Sequence, residues 1–137
     1  MSQAVLDASA AVALLLDSGP AGQWATGSVA GADLAAPHLV MFEASNVIRR
    51  HELAGLVSAD QAVQAHADLG DLAIELWPYE LLARRVWALR TNLSTYDASY
   101  VALAELVQAP LVTLDRRIGQ APGLRCDVLV PDGSSER

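Results

Sequence analysis

Short apolar runs alternate with longer stretches in which apolar positions recur every three to four residues, a pattern of strands separated by helices. Gln3–Leu6 reads as a buried strand that runs straight into a helix over Ala8–Leu16. A second helix is expected over residues 21–30, and a weak strand at 34–36 stops at Pro37. Residues 38–53 form a long helical pattern that should end near Gly55, where a glycine terminator fits. Ser58 and Gln61 have the spacing of a capping box and open the next helix. Ile74–Trp77 is a strand closed by Pro78, and residues 80–90 are helical. Ser94 caps a helix running through Val107. A fourth strand, 111–114, ends at Asp115; a short helical turn and a last strand at 127–130 follow. The polar tail 131–137 is expected to fray. Strands alternating with helices predict one α/β domain over residues 1–137: a three-layer α/β/α sandwich with a mostly parallel central sheet. Asp7 and Asp115 should then end neighbouring strands.

Composition narrows the function classes. At 53% hydrophobic residues the chain can build a core, yet its longest apolar run, 10–16, is too short to span a bilayer. No basic segment precedes an apolar stretch at the N-terminus, so no signal peptide is expected. Cys126 is the single cysteine, which rules out an internal disulfide or a zinc cluster and points to the cytoplasm. The formal charge is −7, all nine basic residues are arginines, and there is no lysine. An acidic chain is not a general nucleic-acid binder, because non-specific affinity comes mainly from basic groups on phosphates. The missing lysine excludes a response-regulator receiver domain and a haloacid-dehalogenase-like phosphatase, both of which also need acids that this chain lacks.

Four carboxylates hold suggestive places. Asp7 and Asp115 follow strands, where ligands gather in open α/β sheets. Asp97 lies in the first turn of its helix. Glu43 lies inside a helix, sharing a face with Leu39, Asn46, Val47 and Arg50. Each aspartate has a structural alternative: Asp7 and Asp115 can cap the helices they precede, and Asp97 can complete a capping box with Ser94. For Glu43 the alternative is a bond to Asn46 or to an arginine of a neighbouring helix. Brought together, the four acids offer oxygen ligands suited to Mg²⁺ or Mn²⁺. A divalent ion would also reconcile an acidic pocket with a phosphate-bearing ligand. Arg49-Arg50, Arg84-Arg85 and Arg116-Arg117 are candidates for holding a phosphate backbone, or ordinary surface charge. Trp24, Trp77, Trp87, Tyr79 and Tyr100 are candidate interface anchors, or core.

Val5-Leu-Asp-Ala-Ser9, Phe42-Glu-Ala-Ser-Asn-Val-Ile-Arg-Arg50, Tyr96-Asp-Ala-Ser-Tyr-Val-Ala-Leu-Ala-Glu105 and Leu111-Val-Thr-Leu-Asp-Arg-Arg-Ile118 resemble, in order and spacing, PIN-domain toxins of the VapC type. The resemblance implies that Asp7, Glu43, Asp97 and Asp115 form the metal-binding catalytic set, with Ser9, Asn46 and Thr113 supporting it. It also implies a Mg²⁺- or Mn²⁺-dependent endoribonuclease that leaves a 5′-phosphate, forms a homodimer and is blocked by a small antitoxin. Two other readings stand beside the toxin: a PIN-like nuclease of RNA maturation or decay, and a non-catalytic interaction module.

Overall fold

Gln3–Leu6, in which all but Gln3 is buried, forms the strand β1 of the computed structural model, which describes residues 2–132. The tail expected at 131–137 therefore falls largely outside the described residues. Four more strands follow: β2 (Asp33–Pro37), β3 (Ile74–Trp77), β4 (Leu111–Val112) and β5 (Val128–Leu129). They make one parallel sheet in the order β3-β2-β1-β4-β5. The chain first builds outward from β1 through β2 to β3, then returns to place β4 on the other side of β1. The crevice between β1 and β4 is thus a topological switch point, where open α/β sheets bind ligands at their carboxyl ends. Asp7 and Asp115 follow these two neighbouring strands, as expected.

The helices are α1 (Ala8–Leu16), α2 (Pro20–Val29), α3 (Leu39–Leu53), α4 (Ala59–Asp71), α5 (Ala83–Ala88), α6 (Thr95–Val107) and α7 (Arg116–Gln120). α1 packs on α2 and α3, and α3 on α4, whereas α5 packs on α6, which lies across β1 and β2. Right-handed crossovers put the first group on one face of the sheet and the second on the other, giving the three layers. Alanine supplies much of the core (Ala4, Ala10, Ala11, Ala35, Ala36, Ala44, Ala98 and Ala104 are all buried), so backbones approach closely. Val5, Leu6, Val101, Leu103 and Leu111 fill the centre. No described helix is long and apolar enough to cross a membrane.

Local signals placed most boundaries. The capping box forms: the Gln61 N–H donates to Ser58 Oγ and the Ser58 N–H to Gln61 Oε1. After α3, Gly55 takes φ +76°, a conformation that a Cβ would strain. Two expectations need correction. The helix expected at 80–90 is a 3₁₀ turn, Tyr79–Leu81, followed by α5 alone. Leu82, at the break, is buried with Val86 and Leu89, so core packing sets the path there rather than helical continuity. β4 ends at Val112 rather than 114, because Thr113 turns its hydroxyl to Asp7 and Asp115 becomes the cap of α7.

Candidate active site

Asp7 stands at the end of β1, where its backbone N–H donates to the Val112 carbonyl of β4. Its carboxylate caps α1 by accepting from the Ala10 N–H at 3.0 Å. The same oxygen, Oδ1, accepts from the Ser9 hydroxyl at 2.6 Å, and Oδ2 accepts from the Thr113 hydroxyl at 2.5 Å. Capping and site formation are therefore one arrangement, not rival explanations of this residue. A carboxylate has about four acceptor positions, so Oδ2 keeps one lone pair for a further partner. Ser9 Oγ accepts from the Leu114 N–H, and Thr113 Oγ1 accepts from the Asp115 N–H. With these bonds two hydroxyls stitch the start of α1 to the loop after β4. Among the described residues no cation pairs with Asp7; burial pushes its carboxyl above the usual range, against the pull of the two hydroxyls and the Ala10 N–H.

Glu43 and Asp97 arrive from opposite faces of the sheet. Glu43 rides on α3, and the Tyr100 hydroxyl of α6 donates to its Oε1 at 2.6 Å. Neither partner expected from the sequence, Asn46 or an arginine, fills that role. Tyr100 is buried, and burial together with the Glu43 carboxylate holds its hydroxyl far from ionisation. Burial raises the Glu43 carboxyl, Tyr100 pulls it back, and the charges of Asp97 and Asp7 raise it further. Asp97 sits in the first turn of α6, where its N–H donates to Ser94 Oγ at 3.1 Å. Its own carboxyl is raised by burial and then by the charge of Asp115. Asp7, Glu43 and Asp97 thus lie close enough to feel one another's charge.

Asp115 behaves differently. The Arg117 guanidinium grips it through Nε at 3.1 Å and Nη2 at 2.9 Å, and the Arg117 N–H donates to it as well. This fork holds its carboxyl below the usual range. Ser9 and Thr113 join the Asp7 network, but Asn46 is exposed and takes no part in it. Instead Asn46 borders a shallow depression with Phe42, Arg49 and His66.

The arginines split. Arg85 is bound bidentately by Glu105 and also donates to the Gly123 carbonyl; Arg116 donates to the Pro131 carbonyl; Arg90 lies 4.7 Å from the centre of the Trp87 ring. Arg49, Arg50 and Arg84 are exposed. Of the five aromatic anchors, Tyr100 belongs to the site, Trp24 and Trp77 are half-buried, and Tyr79 and Trp87 are exposed.

Tyr100 is the functional residue that sequence reasoning missed in this role. Its signal was present: it lies three residues after Asp97, on the same helical face. Tyr100→Phe should keep the fold and remove one charge-assisted bond worth about 1.5 kcal/mol, roughly tenfold in any activity that needs Glu43 ionised. Because the lost hydroxyl lowered the Glu43 carboxyl, the acidic limb of a pH–rate profile should move to higher pH. An unmoved limb would show that Tyr100 only packs.

Asp7, Glu43 and Asp97 are raised by burial and by the charge of neighbouring carboxylates, conditions that a hard divalent cation relieves. In this arrangement no three carboxylates close a cage around an ion among the described residues.

Comparison with known proteins places the chain in a family. Residues 4–124 match the family model described as PIN domain. The chain is 40% identical to "Ribonuclease VapC9" of Mycobacterium tuberculosis over 92% of this chain and 96% of that protein. It is 36% identical to "Ribonuclease VapC1" of the same species, over 93% of this chain and 97% of that one. In fold it matches a chain of a toxin–antitoxin complex from Klebsiella pneumoniae with TM-score 0.64 at 20% identity, covering 95% of this chain and 98% of that one.

Proposed function

This chain belongs to the PIN-domain family, and from that premise we propose that it is a divalent-metal-dependent endoribonuclease acting as the toxin of a toxin–antitoxin pair. The observation that carries this reading is the Asp7 carboxylate, held at the switch point by Ser9 and Thr113 with no cation beside it among the described residues, and near enough to Glu43 and Asp97 to feel their charge. A scaffold has no reason to keep three mutually repelling carboxylates together. A divalent ion bound there supplies the chemistry they lack, lowering the pKa of a bound water and offsetting charge on the phosphoryl group.

Each residue then has a role in this proposal. Asp7 and Asp97 are the direct ligands, because the former keeps a free lone pair and both are raised. Glu43, steered by Tyr100, orients water from the other side. Asp115, satisfied by Arg117, acts from the periphery and keeps the loop after β4 in register with Asp7. Ser9 and Thr113 hold the Asp7 carboxylate in one orientation. The whole of residues 1–137 is read as one such domain, working in the cytoplasm on RNA.

Two partners complete the proposal. A small antitoxin protein neutralises the enzyme, in keeping with the toxin–antitoxin complex whose chain shares this fold. A second copy of the chain covers apolar surface on α3, α4 and the turn between them, where Phe42, Leu53, Leu56 and Val63 are 69–76% exposed. Light scattering at micromolar concentration should return a dimer; a strict monomer would count against it.

The test of the reading is direct. Purified protein should cut RNA with Mg²⁺ or Mn²⁺ and stop with EDTA. An ion at a hundred times its Kd should add about 2.7 kcal/mol to stability and raise the melting temperature. Cleavage indifferent to EDTA, or no thermal shift with either ion, would overturn the metal-nuclease reading. A small open reading frame overlapping or just upstream of the gene distinguishes a toxin from a nuclease of RNA maturation.

A further inference from the structure

Next to the carboxylates, along the same carboxyl edge of the sheet, lies a second cavity of about 200 Å³. Its walls are Pro37 and Trp77 at the ends of β2 and β3, His38 before α3, Tyr79, and Tyr96 at the start of α6. Tyr96 immediately precedes Asp97, so the cavity and the acidic pocket share one turn of helix. Tyr79 and Tyr96 are 52% and 61% exposed, so much of each ring is open to a partner. In the wall, the Trp77 indole N–H is buried and finds no acceptor among the described residues. That leaves this corner incomplete in hydrogen bonding.

The chemistry of the lining selects the occupant. No arginine lines the cavity, so it is not a seat for phosphate. Three of the six arginines put forward from the sequence are engaged elsewhere: Arg117 with Asp115, Arg116 with the Pro131 carbonyl, Arg85 with Glu105. Arg49, Arg50 and Arg84 are exposed but do not border this cavity, so a strand passing here needs another grip. Aromatic faces provide one, since every base has a π-face and unpaired RNA bases are read by splaying them onto such rings. The volume lies below that of pockets for drug-sized ligands and suits a single planar ring.

We propose that this cavity receives one unpaired nucleobase of the RNA strand, next to the phosphate that is cut. Tyr96 is the ring it stacks on, and Tyr79 closes the mouth. This makes Tyr96 a specificity-determining residue rather than a catalytic one. The inference rests on the endoribonuclease reading above and names the subsite that gives it sequence preference.

The experiment compares wild type, Tyr96→Ala and Tyr96→Phe on single-stranded oligoribonucleotides of randomised sequence, mapping the new 5′ ends in Mg²⁺. A second set carries one abasic residue walked through the positions flanking the preferred cut. Wild type should show a base preference at one flanking position, and an abasic residue there should lower kcat/KM at least about fivefold, the scale of one lost stack. Tyr96→Ala should still cut but lose both the preference and the abasic penalty, while Tyr96→Phe, which keeps the ring, should retain both. A Tyr96→Ala enzyme with preference and penalty unchanged overturns the subsite and leaves the nuclease reading intact. So does a Tyr96→Ala protein that loses binding to a protein inhibitor while its base preference is untouched, because the cavity is then a protein-docking site. Wild type that cuts none of these RNAs with either ion overturns the nuclease reading first, and the subsite with it.

Discussion

Asp97→Asn should yield a folded protein that melts at a higher temperature than wild type and has lost RNA cleavage by orders of magnitude. The substitution keeps size and removes the charge that faces Asp115 and adds to the burden on Glu43 and Asp7. Because folding raises the Asp97 carboxyl, the native state binds protons more tightly than the unfolded chain, and stability falls as pH rises through that range. The thermal gain from Asn should therefore be full at neutral pH. It should fade as pH drops through the raised value toward the ordinary carboxylate range, where wild type is itself protonated.

Asp7→Asn should abolish cleavage as completely but melt less favourably. An amide can keep the bonds from Ser9 and the Ala10 N–H, yet its NH₂ then meets Thr113 Oγ1, which already accepts from Asp115. Asp115→Asn should run the other way in stability. Its lowered carboxyl contributes stability that is present at neutral pH and lost as pH falls through the folded value. The contribution is modest, since the Arg117 side chain is 85% exposed and solvent screens the pair. Thermal melts from pH 4 to 8 with and without Mg²⁺, beside cleavage assays, read all three. An Asp97→Asn protein that cuts RNA at the wild-type rate would remove Asp97 from the site. One that fails to fold would make it a capping residue only.

Gly22→Ala should be the most damaging single methyl in the molecule. Gly22 lies buried in α2, and a Cβ there would sit 1.6 Å from the Asp17 carbonyl oxygen and 3.0 Å from that of Ala13. Both obstacles are backbone at the end of α1, so no side chain can step aside. α2 must move off α1 or the turn between them must open, which sets the expected loss at about 3 kcal/mol or more, the upper end for overpacking. Chemical denaturation checks it. Gly27→Ala, in the same helix with nothing within 4 Å of its added carbon, should be neutral or slightly stabilising. If both variants melt alike, the close approach is not what holds α2.

Much of this molecule was determined locally. Ser58 and Gln61 announce a helix start because the two bonds they exchange need nothing beyond four residues of chain. Gly55 ends α3 because only local backbone strain is at stake. Asp7 and Asp115 could be placed after neighbouring strands because a short apolar run followed by a cap is a local pattern and parallel topology follows from strand–helix alternation. The four acids were put forward as a set only by the resemblance of the motifs that carry them to a known family. What the chain alone did not contain were the distances that close between remote elements. Tyr100 was a core candidate until α3 and α6 met across the sheet edge and put its hydroxyl on Glu43, 57 positions away in sequence. Arg117 looked like a hand for RNA until the turn after β4 folded its guanidinium onto Asp115. The break at Leu82 was invisible because helical periodicity reads the same whether one helix or a 3₁₀ turn and a shorter helix bury Leu82, Val86 and Leu89. Local hydrogen bonds and backbone strain are written residue by residue, whereas burial and charge pairing depend on which surfaces meet, and only the packed sheet and its two helical layers decide that.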